Sequence, residues 1–455
     1  MLDDMLDYLQ QVRERPVWKP IPDAVRASLR QPPPLEPSGL DAVHGEFLAK
    51  VLPYGTGNVH PGFMGWVHGG GNLAGMLGEM LAAGLNANLG GRDHMPIEVE
   101  RQVLDWVRQW FRLPIGAGGL FVTGTSMANF MAVLVARSAA LGPLVRTAGL
   151  GAEPRLTAYA SVAGHNCLIR AMEMAGLGSD ALRLIPVDPA GRMDLEALAA
   201  TLAEDRRRGC QPFLVIGTAG TVDIGAIDDL AALAELAEAE RLWFHVDGAF
   251  GALAILAPEL APLLAGIERI DSMALDFHKW GQVPYDAGFL VVRDGELQRR
   301  AFASNPAYLR PEARGLAGGA PWPCDFGPDL SRSFRALKAW FTLKVHGSRK
   351  LGAVILHTCQ LAQYLKELVE AAPELELLAP VALNIVCFRH RGADPDALNR
   401  RIVTALQESG IAAPSTTTLH GQLAIRAAIV NHRTQARDIE ALVAAVLELG
   451  RTSGS

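Results

Sequence analysis

At 455 residues, 49% of them hydrophobic and 20% charged, the chain is long enough for roughly two or three domains with a sizeable core. Its formal net charge of −6 excludes the basic character of a nucleic-acid binder. The cysteines Cys167, Cys210, Cys324, Cys359 and Cys387 are scattered with no CxxC pair, which argues against a disulfide framework or a structural zinc site and fits a reducing compartment.

The start, Met1-Leu2-Asp3-Asp4-Met5, is acidic, unlike a secretory signal. The apolar window at about 250–270 contains Pro258, Glu259 and Pro262 and does not read as a membrane span. The expectation is a cytoplasmic protein. Leu2, Met5, Leu6, Leu9 and Val12 recur at helical spacing. Prolines 16, 20, 22 and 32–34 then break the chain, so residues 1–50 form an arm that needs the main domain or a second subunit to pack on.

From about 98 to 295, strand-like and helix-like segments alternate. Leu120-Phe121-Val122 leads through Thr123-Gly124-Thr125-Ser126 into a helix reaching about Arg137. Runs 213–216, 242–246, 272–275 and 289–292 read as buried strands, and 227–240 carries Leu230, Leu233, Leu236 and Ala237 on one helical face. This alternation predicts an α/β domain with a mostly parallel central sheet flanked by helices. Residues 301–330 are rich in proline and glycine and read as a long loop. A helix over 334–346 follows, then a mixture of helices and short strands, a small C-terminal α+β domain. The expected boundaries are 1–50, 51–345 and 346–455.

Two segments carry chemistry. Lys279 follows His278 at the end of the run Ser272-Met273-Ala274-Leu275, where an ammonium is costly unless paired or weakened. It reads either as a surface lysine or as a nucleophile able to form a Schiff base with an aldehyde cofactor. Asp247 ends the strand at 242–246, at the carboxyl edge where α/β sheets bind ligands. It can cap a turn or hold a pyridine nitrogen protonated, making the ring an electron sink.

Gly124-Thr125-Ser126-Met127 lies between strand and helix, either a plain capped start or an anion seat. His165 can stack on a flat ring or be an ordinary satisfied histidine. Gly69-Gly70-Gly71 can admit a ligand's close approach or simply turn the chain.

Taken in order, these segments resemble the pyridoxal-phosphate-dependent group II decarboxylases of aromatic amino acids, glutamate and histidine. The resemblance is carried by His60-Pro61, Pro96-Ile97-Glu98-Val99-Glu100, Val103-Leu104-Asp105-Trp106, residues 124–129, His165, Gly220-Thr221, His245-Val246-Asp247 and His278-Lys279-Trp280. The run Phe334-Arg335-Ala336-Leu337-Lys338-Ala339-Trp340 and Leu423-Ala424-Ile425-Arg426 extend it to about residue 450.

The resemblance implies a fold-type-I enzyme using pyridoxal 5′-phosphate, and a homodimer with active sites at the subunit interface. It implies that Lys279 holds the cofactor, Asp247 faces its ring nitrogen and His165 stacks on the ring. Ser126, Thr125 and the backbone of Met127 would hold phosphate, with His278 and Thr221 beside the cofactor. Tyr308, in a mobile loop at about 301–330, would return a proton to substrate Cα. The implied reaction is decarboxylation of an L-amino acid, aromatic by preference since Phe63 and Trp66 can pack on a ring.

The chain departs from the family's habit at Val222, at Asp276-Phe277 before His278, at Met64-Gly65-Trp66-Val67 and at Gly69. The last two fall where substrate selection is expected. The alternatives are an acidic amino-acid substrate, oxidative conversion to an aldehyde on the same scaffold, or a non-catalytic homologue. Tyr308 and His165 together favour simple decarboxylation.

Overall fold

The computed structural model describes residues 1–151, 154–304 and 311–453. In chain order the described strands are β1 Phe63–Met64, β2 Gly118–Val122, β3 Arg155–Ser161, β4 Leu182–Ile185, β5 Cys210–Thr218, β6 Trp243–Asp247, β7 Ser272–Asp276, β8 Gly288–Val292, β9 Leu375–Leu377, β10 Ile385–His390, β11 Ala413–Leu419 and β12 Gln422–Ala428. The chain divides into two units, Gly71–His357 and the pair of segments Met1–Gly70 with Thr358–Ser455.

In the unit 71–357 seven strands form one sheet in the order β2-β8-β7-β6-β5-β3-β4. Pairs β4/β3, β3/β5, β5/β6 and β6/β7 are parallel, while β8 runs antiparallel to β7 and β2. The sheet is therefore mostly parallel, as the alternation predicts. Every residue of β7 and β8 is buried, which explains their continuous apolar runs.

The helix Thr125–Leu141 is rich in alanine and valine, so it approaches the sheet closely. Its Ala128, Met131, Ala132 and Val135 pack with Leu120, Val122, Ala274, Leu290 and Val292. Val133 and Ala136 pack with Ala158, Ala160, Leu214 and Ile216. Each large apolar side chain buried this way contributes roughly 1.5–3 kcal/mol.

The other unit carries a five-stranded sheet, β1-β11-β12-β10-β9, antiparallel except for the pair β1/β11. Met64 joins Leu365, Val386, Phe388, Ile402, Ile425 and Leu442 in its core. That packing groups residues 51–70 with the C-terminal segment, whereas the sequence reading assigns them to the large domain. The arm is tied down here too. Arg13 Nη1 lies 2.9 Å from Asp438 Oδ1, and the Val17 N–H donates to the Gly410 carbonyl at 2.9 Å. The helix beginning at Arg335 is interrupted at Gly347, whose φ of 75° is non-helical, one residue past the expected end.

Candidate active site

β6 and β7 are parallel neighbours, so their last residues, Asp247 and Asp276, share one edge of the sheet. Lys279 stands in the turn just beyond β7. Its Nζ lies 3.0 Å from Asp276 Oδ2, and its side chain keeps 21% of its surface. Asp276 also accepts hydrogen bonds from the Thr125 backbone N–H and hydroxyl, both at 2.9 Å. One buried carboxylate thus joins the lysine turn to the helix start. His278 Nε2 is 3.6 Å from the same carboxylate, and its Nδ1 accepts the Ala287 N–H at 3.0 Å. With Nδ1 accepting, a neutral His278 carries its proton on Nε2.

Asp247 is buried and accepts from Asn129 Nδ2 at 3.0 Å and from the Ala249 N–H at 3.2 Å. Burial pushes its carboxyl upward, opposed by the charge of Lys279, the Ala249 N–H, His165 and Asn129. The lysine is thus the leading attractive charge on Asp247. Asn129 continues the network: its Oδ1 lies 2.8 Å from His245 Nε2, and His245 Nδ1 lies 2.8 Å from Ser272 Oγ.

The other residues assigned from the sequence stand in different settings. His165 is exposed, with Nδ1 accepting the Cys167 N–H at 3.2 Å. Ser126 is exposed in the first turn of its helix, but the Met127 N–H is already directed at the Gly124 carbonyl, 2.9 Å away. The Thr125 donors are committed to Asp276. Thr221 is fully buried, its hydroxyl accepting the Ala226 N–H at 3.0 Å inside a tight turn. Tyr308 lies outside the described residues. In the unit holding Met1–Gly70, His60 Nδ1 accepts the Gly62 N–H at 2.9 Å. There Phe63, Trp66 and His68 form an aromatic group, with His68 stacked on Phe63 at 5.7 Å and on Trp66 at 5.9 Å.

Asp276, Asn129, His245 and Thr218 are residues to which the sequence reading assigns no role in the site. Their signals are spacing. Asn129 follows Thr125 by four residues on one helical face, and His245 precedes Asp247 by two on one strand face. Thr218 is the register partner of Asp247, and its buried Oγ1 has no hydrogen-bond partner among the described residues.

These residues suit pyridoxal phosphate. Lys279 offers an amine to an aldehyde and Asp247 a carboxylate to a ring nitrogen. Thr218 has a hydroxyl to spare, and Ser126 stands with the positive end of a helix for a phosphate. A cavity of about 450 Å³ lined by Leu104, Ile115, Arg299 and Phe326 contains none of them.

The family model for the pyridoxal-dependent decarboxylase conserved domain matches residues 22–391. The chain is 32% identical to aromatic-L-amino-acid decarboxylase of Bacillus atrophaeus, covering 96% of this chain and 91% of the relative. It is 31% identical to phenylacetaldehyde synthase of Arabidopsis thaliana, covering 97% and 92%. A crystal structure of Oryza sativa TDC with PLP and tryptamine aligns at a TM-score of 0.92 and 27% identity, covering 100% of this chain and 96% of that one. The chain belongs to the pyridoxal-dependent decarboxylase family, and its activity is the pyridoxal-phosphate-dependent decarboxylation of an amino acid.

Proposed function

We propose that the enzyme decarboxylates an aromatic L-amino acid to the amine, with Lys279 and Asp247 as the two residues that hold and polarise the cofactor. The observation that carries the assignment is the sheet edge: the buried Asp247 ends β6, and Lys279 stands in the turn just beyond the parallel neighbour β7. Pyridoxal phosphate, when bound, supplies a ring that draws in the electrons released as the Cα–carboxylate bond breaks.

Lys279 would hold the cofactor through its amine at the aldehyde. Asp247, costly to ionise in its buried setting, is relieved by a protonated ring nitrogen and so favours that state. His165 presents an exposed ring whose Nδ1 is fixed by Cys167, suited to stacking. Ser126 binds phosphate with the helix start, while Thr125 acts through Asp276 and Thr221 through its turn. His278 lies beside the lysine turn. Delivery of a proton to substrate Cα is assigned to Tyr308 on the sequence alone.

The aromatic preference draws support from Trp66, 57% exposed beside His68 and Phe63, and from the relatives' aromatic substrates. Assembly as a homodimer through the arm is supported by Leu29, Leu35, Leu40, Val43 and Phe47, all exposed apolar side chains. Among the described residues no helix is long and apolar enough to cross a membrane, and the cysteines are free. Both features are compatible with a cytoplasmic location, which cell fractionation tests.

The test is a panel of amino acids assayed for carbon dioxide, amine, aldehyde and peroxide. Amine and carbon dioxide in equal amounts from tryptophan, tyrosine or phenylalanine support the reading. Preference for glutamate or aspartate overturns the substrate, and stoichiometric peroxide with aldehyde overturns the outcome in favour of oxidative deamination. Lys279→Ala should lose the visible absorbance of the lysine-bound cofactor; unchanged absorbance would assign another lysine. Sedimentation of a chain lacking residues 1–50 tests the arm, and an equally stable dimer removes it from the interface.

A further inference from the structure

We infer that Asn129 and His245 are positioning residues that act through Asp247, the middle links of a one-way hydrogen-bond chain that fixes the carboxylate toward the cofactor's ring nitrogen. The inference rests on the reading of Asp247 as the partner of that nitrogen.

The direction of the chain follows from the chemistry of its members. Trp243 Nε1 can only donate, and it donates to Ser272 Oγ at 2.8 Å. An ionised Asp247 can only accept, so Asn129 turns its amide nitrogen toward it, at 3.0 Å. The second amide hydrogen is directed at Cys167 Sγ, 3.2 Å away. Asn129 Oδ1 is then left facing His245 Nε2 at 2.8 Å, and that nitrogen must carry the proton.

His245 is 1% exposed, and burial holds its imidazole down to about 3, so it is neutral. Its Nδ1 therefore accepts from the Ser272 hydroxyl, at 2.8 Å. Every donor points one way, from Trp243 through Ser272, His245 and Asn129 to Asp247. Such aligned dipoles reinforce one another in a low-dielectric interior.

The backbone explains the alignment. Trp243, His245 and Asp247 alternate along β6 and share one face, and Ser272 is the register partner of His245 on β7. The helix Thr125–Leu141 lays Asn129 against that face. Reversing the chain would bring Asn129 Oδ1 against the carboxylate, which is tolerable only if Asp247 is protonated. A protonated Asp247 cannot accept from a protonated ring nitrogen in the same way. The forward direction is thus the one compatible with the ionised carboxylate that the ring nitrogen needs.

The experiment titrates the cofactor-free full-length protein with pyridoxal 5′-phosphate, following visible absorbance and circular dichroism across pH. Asn129→Leu and His245→Leu break the chain, while His245→Gln keeps one N–H toward Asn129 and one acceptor toward Ser272. Removing a hydrogen bond to a charged group predicts affinity about tenfold weaker in both leucine variants, with a displaced pH for the absorbance change. His245→Gln should recover affinity to within about twofold.

Wild-type affinity and spectra in the leucine variants overturn the inference. So does a glutamine variant as weak as His245→Leu, or losses that merely follow lower thermal midpoints of the cofactor-free proteins. Asp247→Asn separates the two levels. If it binds and absorbs like wild type, the reading of Asp247 fails and the inference with it. If it loses both while the chain variants do not, only the inference fails.

Discussion

Lys279 and Asp276 are joined twice within one turn: Nζ lies 3.0 Å from Asp276 Oδ2, and the Lys279 N–H donates to the Asp276 carbonyl at 3.3 Å. The same carboxylate receives both donors of Thr125. The amine and the start of the helix Thr125–Leu141 are therefore held at a fixed spacing by one side chain. A cofactor anchored at its aldehyde and its phosphate would need that spacing constant.

Asp276→Ala strands two donors of Thr125 and the lysine at once. The loss of a cap and of charged hydrogen bonds predicts a destabilisation of about 2–4 kcal/mol, with weaker cofactor retention. Asp276→Asn keeps an acceptor for the Thr125 N–H and should lose about 1 kcal/mol. Urea unfolding of the two cofactor-free variants distinguishes them; equal losses would mean that the cap contributes little.

Gly288 is a second lock on the same loop. A Cβ placed there would lie 2.3 Å from Gly124 Cα and 2.6 Å from its N and C, all backbone atoms with no room to yield. Gly288→Ala should push the helix start away from the sheet, costing about 1–3 kcal/mol. Cofactor affinity should fall more than it does for Gly116→Ala, where the added methyl meets nothing within 4 Å. Equal affinities in the two variants would disconnect this contact from the proposed phosphate seat.

Lys279 and Asp247, the proposed cofactor residues, stood out in the sequence because Asp247 closes one apolar strand and Lys279 lies in the turn after another, where a charge is costly. The sheet was legible for a related reason: β7 and β8 are covered on both faces and cannot alternate polar with apolar. Asn129 was not, since its neighbours in Met127-Ala128-Asn129-Phe130-Met131 read as core, and only the folded register brings His245 and Asp247 to its amide. Asp276 stood out as a departure, but its capping role depends on Thr125, 151 residues away in sequence. The division at residues 51–70 was hidden because β1 is two residues long and draws its partner from β11.

Glu100 and Arg332 form a buried pair that anchors the chain where the long proline- and glycine-rich stretch ends. Arg332 Nη2 is 2.5 Å from Glu100 Oε1, and the guanidinium also donates to the carbonyls of Leu89 and Phe121. Glu100 in turn accepts the Phe121 N–H at 2.8 Å. Glu100→Ala leaves a guanidinium buried without its counter-charge, for which about 3–5 kcal/mol is expected. Replacing both residues by apolar ones should cost less than the single change. A thermal midpoint for Glu100→Ala within a degree or so of wild type would contradict this account.

His245 gives the protein a pH dependence whose sign is fixed by its burial. The imidazole is held down to about 3 against an ordinary 6.5. Above pH 6.5 the residue is neutral in both folded and unfolded chains and adds no slope. Between 6.5 and 3 the unfolded chain takes up a proton that the folded one refuses, so stability is lost as pH falls, by about 1.4 kcal/mol per unit. Asp228, pushed up to about 6 by burial, slopes the opposite way, gaining stability as pH falls toward 3.8. It is present in wild type and in His245→Gln alike, so it cancels in their difference. Unfolding both proteins in urea at pH 6.5 and 4.5 should move that difference by about 2 kcal/mol in favour of His245→Gln at the lower pH. A difference that stays flat would mean that the folded protein can accommodate an imidazolium between Asn129 and Ser272, and the one-way chain through His245 would lose its footing.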